Sequence, residues 1–215
     1  MSLVDLAPGQ HADEVRNHWW WRPGWRVGRR FYAFHITFEY QQQLCDTATA
    51  YRTALAGMPS LTLIPDRWLH LTMQGVGFAD ELALDVVQDI ADEARSLLAA
   101  LPAFQVEFGP IVVADEAILM PAEPAERIHG LRHLTRQAIG RVLGPDEVGE
   151  DPDRFRPHVS VAYLTAGGPA LPYIEATSRA EIQPTHVAIR QVDLIEMHRD
   201  HQMYEWRTVA ALPLM

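Results

Sequence analysis

The sequence predicts an α+β fold, bilobal, with two similar halves of mostly antiparallel sheet, helices on the outer faces and a central cleft. Three observations carry this. Apolar residues alternate with period two in short runs such as RFYAFHITFEY (residues 30–40), the pattern of half-buried strands. Along other stretches they recur every three or four residues, the pattern of amphipathic helices. The order of the two patterns in the first half then recurs in the second.

Taking the elements in order, Tyr32, Phe34, Ile36 and Phe38 fall on one face of the first strand, and Ala33, His35, Thr37 and Glu39 on the other. Leu44, Ala48, Tyr51 and Leu55 mark a helix closed by Gly57 and Pro59. TLIP and RWLHLTMQGV read as strands. Asp80 is placed as the cap of a second helix with Leu82, Val86, Ile90, Ala94 and Leu97 inward. AFQVEFGPIVVAD and AILMPA are strands again. Pro124 stands near the start of a third helix with Ile128, Leu131, Ala138 and Val142 inward. The loop GPDEVGEDPD leads to the strand RPHVSVAYL. A short helical segment and the strands HVAIRQVDLIEMH and MYEWRTVAAL close the chain.

The 215 residues suit one domain or two small lobes, and 48% of them are apolar, enough for a substantial core. A net charge of −10 argues against a general nucleic-acid binder, which needs a basic face to neutralise many phosphates. A small phosphorylated ligand or a single RNA end remains compatible with it. Cys45, the one cysteine, makes no internal disulfide and no cysteine zinc site. No run is long enough for a membrane helix and no signal-peptide pattern opens the sequence, so a soluble cytoplasmic protein is expected. Residues 1–29 are read as a Trp/Arg-rich extension and residues 30–215 as a single domain. The stretch HWWWRPGWRVGRR is either a segment whose indoles pack on that domain or a flap that stacks bases and steers phosphates.

His-x-Thr or His-x-Ser occurs four times, and geometry sorts the four pairs. Residues two apart share a face in a strand but lie roughly 200° apart around a helix. His133 and Thr135 fall on the third helix and cannot serve one ligand. His129 and His133, on one outer face of that helix, lack a further ligand and read as solvated. On the strands, His70, Thr72 and Gln74 share the face opposite Leu69, Leu71 and Met73. His158 and Ser160 share the face opposite Val159, Val161 and Tyr163, which assigns Tyr163 to the core. Two histidine–hydroxyl pairs, 88 positions apart and in matching places of the two halves, would therefore converge on the cleft.

With its lead-in proline and trailing glycine, IPDRWLHLTMQGVGF resembles the first motif of the two-histidine (2H) phosphoesterases, the superfamily of 2'-5' RNA ligases and 2',3'-cyclic nucleotide phosphodiesterases. FRPHVSVAYL resembles the second. The resemblance runs from about Arg30 to the C-terminus and implies a metal-independent, cofactor-free hydrolase with a water-filled cleft. It implies His70 and His158 as general acid and base, and Thr72 and Ser160 as phosphate ligands. Where many bacterial members carry an arginine just after the second motif, this chain has Tyr163. Its partner would be a nucleotide 2',3'-cyclic phosphate or an RNA terminus, hydrolysed or reversibly ligated.

His35, Gln74, Arg154 and Arg156 are further candidate substrate contacts, and Tyr204 and Trp25 candidate base-stacking platforms. His198 and His201 are expected at the rim. Two readings compete with the enzyme. One is a non-catalytic nucleotide or RNA-end binding module with the same cleft. The other is a histidine-rich metal hydrolase, for which no HExxH or clustered ligand set is present.

Overall fold

The computed structural model describes residues 5–215. Along the chain run β1 (Glu14–Val15), β2 (Phe31–Thr37), α1 (Gln42–Ala54), β3 (Leu61–Leu63), β4 (His70–Phe78), α2 (Leu84–Leu98), β5 (Phe104–Phe108), β6 (Val112–Val113) and β7 (Ala117–Glu123). They are followed by α3 (Ala125–Leu143), β8 (His158–Leu164), β9 (Gly168–Pro169), α4 (Leu171–Ser178), β10 (Thr185–Ile189), β11 (Gln191–His198) and β12 (Glu205–Pro213).

Two antiparallel sheets organise the chain. One has the order β12-β11-β2-β4. The other has the order β10-β5-β7-β8-β3, with β6 pairing onto β7. The sheets do not divide by sequence half: β3 joins the second sheet, and β11 and β12 complete the first. α2 and α3 pack together against β12 and β4, while α1, with α4 beside it, lies against β10 and β8. The helices therefore cover the outer faces. The core between sheet and helix takes Phe34, Leu71 and Met73 from strands and Leu44, Ile90 and Leu131 from helices, all of them almost wholly buried. Each of the larger side chains stabilises the fold by about 1.5–3 kcal/mol on burial. Among the described residues no helix is long and apolar enough to cross a membrane.

α1 buries Leu44, Cys45, Ala48 and Tyr51, a stripe that follows the helical repeat. α2 starts later than the sequence suggests. Ala83 precedes its first turn, and its inward stripe is Val87, Ile90, Ala91, Ala94 and Leu98, not the stripe through Val86 and Leu97. Asp80 caps nothing. Its carboxylate instead binds Arg29 at 2.8 Å and Arg26 at 3.1 Å. α3 ends at Gly144, whose φ of 107° is a conformation other residues rarely adopt.

The N-terminal segment lies along the second sheet before crossing to the first. β1 pairs with β9, and the backbone N–H groups of Ala12, Arg16 and His18 donate to the carbonyls of Val113, Asp115 and Leu164. Further on, the Gly28 N–H donates to Asp200 Oδ1 at 3.0 Å, and Arg29 reaches Asp80 beyond β4.

Candidate active site

β4 and β8 each open on a histidine, and each histidine is anchored the same way. His70 Nδ1 lies 2.8 Å from the Trp68 carbonyl oxygen, and His158 Nδ1 lies 2.7 Å from that of Arg156. A carbonyl only accepts, so Nδ1 carries the hydrogen in both neutral rings and Nε2 keeps its lone pair. The flanking residues Leu69, Leu71, Pro157 and Val159 are buried, which turns the imidazoles the other way. Both rings line one cleft of about 440 Å³, together with Thr72, Ser160 and His35.

Beyond each hydroxyl the alternation fails, for one reason in both strands. In the β2–β4 ladder His35 pairs with Thr72 and Phe34 with Gln74, leaving Met73 as an extra residue. In the β7–β8 ladder Leu119 pairs with Ser160 and Ile118 with Ala162, leaving Val161 extra. Each is a β-bulge, and a bulge flips the face of the residues after it until the next irregularity, which in β4 comes at Val76. Two expectations are overturned as a result. Gln74 does not share the cleft face of Thr72. It is fully buried, donating to the Gly149 carbonyl at 3.0 Å and accepting from Arg136 at 2.8 Å. Tyr163, assigned to the core by strict alternation, lines the cleft. The bulge at Met73 is held from α3: Arg132, only 3% exposed, donates from Nε to the Met73 carbonyl at 2.7 Å and binds Glu150 at 3.0 Å.

His70 sits among aromatic rings. His35 stacks on it with centroids 4.5 Å apart and planes 4° from parallel, and Trp206 meets it edge-on at 5.2 Å. His35 Nε2 lies 3.4 Å from Thr72 Oγ1, while its Nδ1 is buried without a hydrogen-bond partner. Burial lowers the pKa of every cleft imidazole. It brings His70 to about 4, against the hydrogen bond to Trp68 and with help from the nearby His158 and His18 charges. His158 is lowered by burial against its bond to Arg156. His35 is held well below the ordinary histidine range by burial and by His70.

The opposite rim comes from the N-terminal segment. His18 stacks on Tyr163 at 4.3 Å, and its Nε2 lies 3.0 Å from the Tyr204 hydroxyl. Arg22 is the only arginine or lysine among the described residues lining the cleft, and it binds Glu116 at 2.8 Å. Burial pushes the Glu116 carboxyl up, but the His18 and Trp20 contacts and the Arg22 charge overcome it and hold the group at about 2. Trp25 and Tyr204, the candidate stacking platforms, both line the cleft. Trp19 packs into the core, whereas Trp20 and Trp21 are about half exposed. The segment thus both packs on the protein and supplies cleft residues.

Other expected contacts lie elsewhere. Arg154 and Arg156 are exposed and absent from the lining of the histidine cleft. Arg156 folds back on the carbonyls of Asp153 and Phe155, and Arg154 ends a short 3-10 turn. Neither supplies the cleft's positive charge, because the strand turns His158 inward while the loop before it turns outward. His133 is exposed and Thr135 buried, as helical geometry requires. His198 and His201 are not among the lining residues. Sequence reasoning missed His18, Arg22 and Glu116. For His18 and Arg22 the one signal is the density of Trp and Arg before β2, which names no contact, and Glu116, just before β7, has none.

A family model for the 2'-5' RNA ligase superfamily matches residues 40–201. That span excludes His18, Arg22 and His35. TT0787 of Thermus thermophilus is similar in fold, with a TM-score of 0.64 at 18% identity over 86% of this chain and 97% of its own. Escherichia coli LigT in complex with NADP+ gives 0.62 at 13% identity, over 86% of this chain and 98% of its own. LigT in complex with 3'-AMP gives 0.57 at 13% identity, over 87% and 98%. No curated protein sequence matches the chain.

Proposed function

The chain belongs to the 2'-5' RNA ligase superfamily, and from that premise we propose that it opens 2',3'-cyclic phosphate ends of nucleotides or RNA, with His70 and His158 as general acid and base and without a metal. The single observation that carries the reading is the matched anchoring of these two rings, Nδ1–H to a carbonyl two residues upstream, on two strands facing one cleft.

Hydrolysis is a displacement at phosphorus. One neutral imidazole takes a proton from water at Nε2 as the water oxygen bonds to phosphorus. The bond from phosphorus to one ribose oxygen breaks, and the other imidazole, protonated, gives its Nε2 proton to that oxygen. The product is a phosphomonoester with a free neighbouring hydroxyl. Each proton transfer accelerates the reaction by typically about 10²–10⁴-fold. Thr72 and Ser160 donate to the non-bridging oxygens, where charge gathers, and loss of one such donor costs on the order of 3 kcal/mol. Run backwards with a 5'-hydroxyl in place of water, the same steps join RNA ends. In dilute solution mass action favours hydrolysis. The complex of E. coli LigT with 3'-AMP, a nucleoside phosphomonoester, is consistent with this substrate class.

A turnover assay with 2',3'-cyclic nucleotides and cyclic-phosphate RNA ends tests the proposal. His70→Ala and His158→Ala should each abolish turnover with unchanged circular dichroism, His133→Ala should leave it intact, and EDTA should not reduce it. Tight binding of 3'-nucleotides with no turnover of any cyclic substrate would leave a binding module in place of an enzyme.

A further inference from the structure

Away from the cleft, the turn between β11 and β12 gathers a second set of chemically capable groups, a clustered ligand set that sequence reasoning did not find. We propose that His198, His201 and Glu205 form a zinc(II) site there, distinct from the proposed reaction centre and independent of it.

His198 closes β11 and Glu205 opens β12, and the two are directly paired as the last rung of the ladder. His201 stands in the turn between them. One donor atom from each residue lies within 4.8 Å of the other two. His201 Nδ1 is 2.7 Å from Glu205 Oε2, and His198 Nε2 is 3.7 Å from the same oxygen. A tetrahedral zinc ion with bonds of about 2.0–2.1 Å holds its donors roughly 3.3 Å apart. Closure around an ion therefore asks for side-chain shifts of roughly half to one and a half ångströms, which rotamer adjustment in a turn can supply.

Asp200 adds the outer support that ligating imidazoles use. Its Oδ2 lies 3.5 Å from His198 Nδ1, the ring nitrogen opposite the one that faces Glu205. The Asp200 N–H donates to the same nitrogen at 3.4 Å, so zinc at Nε2 requires the ring hydrogen to move to Nδ1, with Oδ2 as its acceptor. Two imidazoles and a single carboxylate form a nitrogen-rich set that suits zinc and not magnesium or calcium, which take oxygen cages. A water would complete the fourth position.

The site has a structural consequence. Asp200 also accepts from the Gly28 N–H at 3.0 Å and lies 3.5 Å from Arg30, so it ties the N-terminal segment to this turn. Tyr204, adjacent to Glu205, lines the cleft. An ion at the turn would fix the hairpin tip on which the N-terminal segment rests.

Calorimetric titration of Zn²⁺ into the full chain, stripped of metal beforehand, tests this. One ion per chain should bind with micromolar affinity or better and raise Tm, while Mg²⁺ should do neither. His201 is 74% exposed in its side chain, so His201→Ala should fold normally and weaken zinc binding by at least about tenfold. Glu205→Gln should do the same, and His70→Ala should leave zinc binding unchanged. Absence of stoichiometric binding would overturn the proposal. So would stoichiometric binding that survives His201→Ala combined with Glu205→Gln, or that is lost in His70→Ala.

Discussion

His35 and His70 lie face to face, ring centroids 4.5 Å apart and planes 4° from parallel, on neighbouring strands of one sheet. The contact fixes the orientation of His70 without using either of its nitrogens. Two stacked imidazolium ions would repel at that distance, so the buried partner, His35, stays neutral while His70 is free to change charge. On the proposed mechanism His35 is thus a positioning residue. His35→Ala should lower kcat by about tenfold with a smaller change in KM. His35→Phe, which restores a flat ring, should recover most of the loss. Steady-state kinetics on the two variants separate orientation from simple destabilisation, since a destabilised chain would not be rescued in kcat.

The depressed pKa values of His70 and His158 mean that the empty cleft carries neutral imidazoles at pH 7. On the proposed mechanism the general acid therefore gains its proton when the anionic substrate arrives. Calorimetry of 3'-nucleotide binding at pH 7, in buffers of different ionisation enthalpy, should reveal net proton uptake. The kcat/KM profile, which reports the free enzyme, should have its optimum on the acid side of 6.5. Stability follows the same sign. Below 6.5 the unfolded chain protonates these histidines before the folded one does, so stability is full above 6.5 and falls towards the folded value of His70, about 4. Thermal melts across that range should show Tm dropping steadily.

Arg22 carries the one permanent positive charge on the described cleft lining, and Glu116 holds it in place. A charge-assisted hydrogen bond to phosphate contributes about 1.5–3 kcal/mol. Arg22→Ala should therefore raise KM for a cyclic substrate by roughly tenfold or more, with kcat less affected. Glu116→Gln should also raise KM, because Arg22 then loses its fixed direction. Equal kinetics in wild type and Arg22→Ala would remove the N-terminal segment from substrate binding.

Arg132 is the prop of the bulge that ends the Thr72 strand face. Arg132→Leu would leave the Met73 carbonyl without its 2.7 Å donor and release Glu150. Loss of about 2–4 kcal/mol in urea unfolding is expected. Turnover should fall as well, since Thr72 precedes the bulged residue directly.

The two strands that present His70 and His158 are legible because apolar neighbours on both sides force the imidazole to the other face. Thr72, Ser160 and His35 follow from the same alternation. Gln74 and Tyr163 do not, because an inserted residue in a ladder has no signature in a single strand. It appears only when the partner strand is known. Arg132 is hidden for a related reason: a buried arginine on an apolar helix stripe is explained only by the carbonyl it reaches. The rim built from His18 and Arg22 depends on how a segment with little regular structure docks across two sheets, and local pattern carries no record of that. Asp80 shows the converse, a residue well suited to cap a helix that is taken by two arginines instead.

β2, which carries His35, is sandwiched between β4 and β11, and β11 is made long after both β2 and β4. During synthesis the edge of β2 that will meet Gln191–His198 stays open until those residues have left the ribosome. Joining strands so distant in sequence carries a large loop-closure penalty and slows folding. Nascent fragments ending before residue 191 would thus display an unsatisfied, aromatic-rich strand edge, and the finished cleft can assemble only after residues 191–198 have been made.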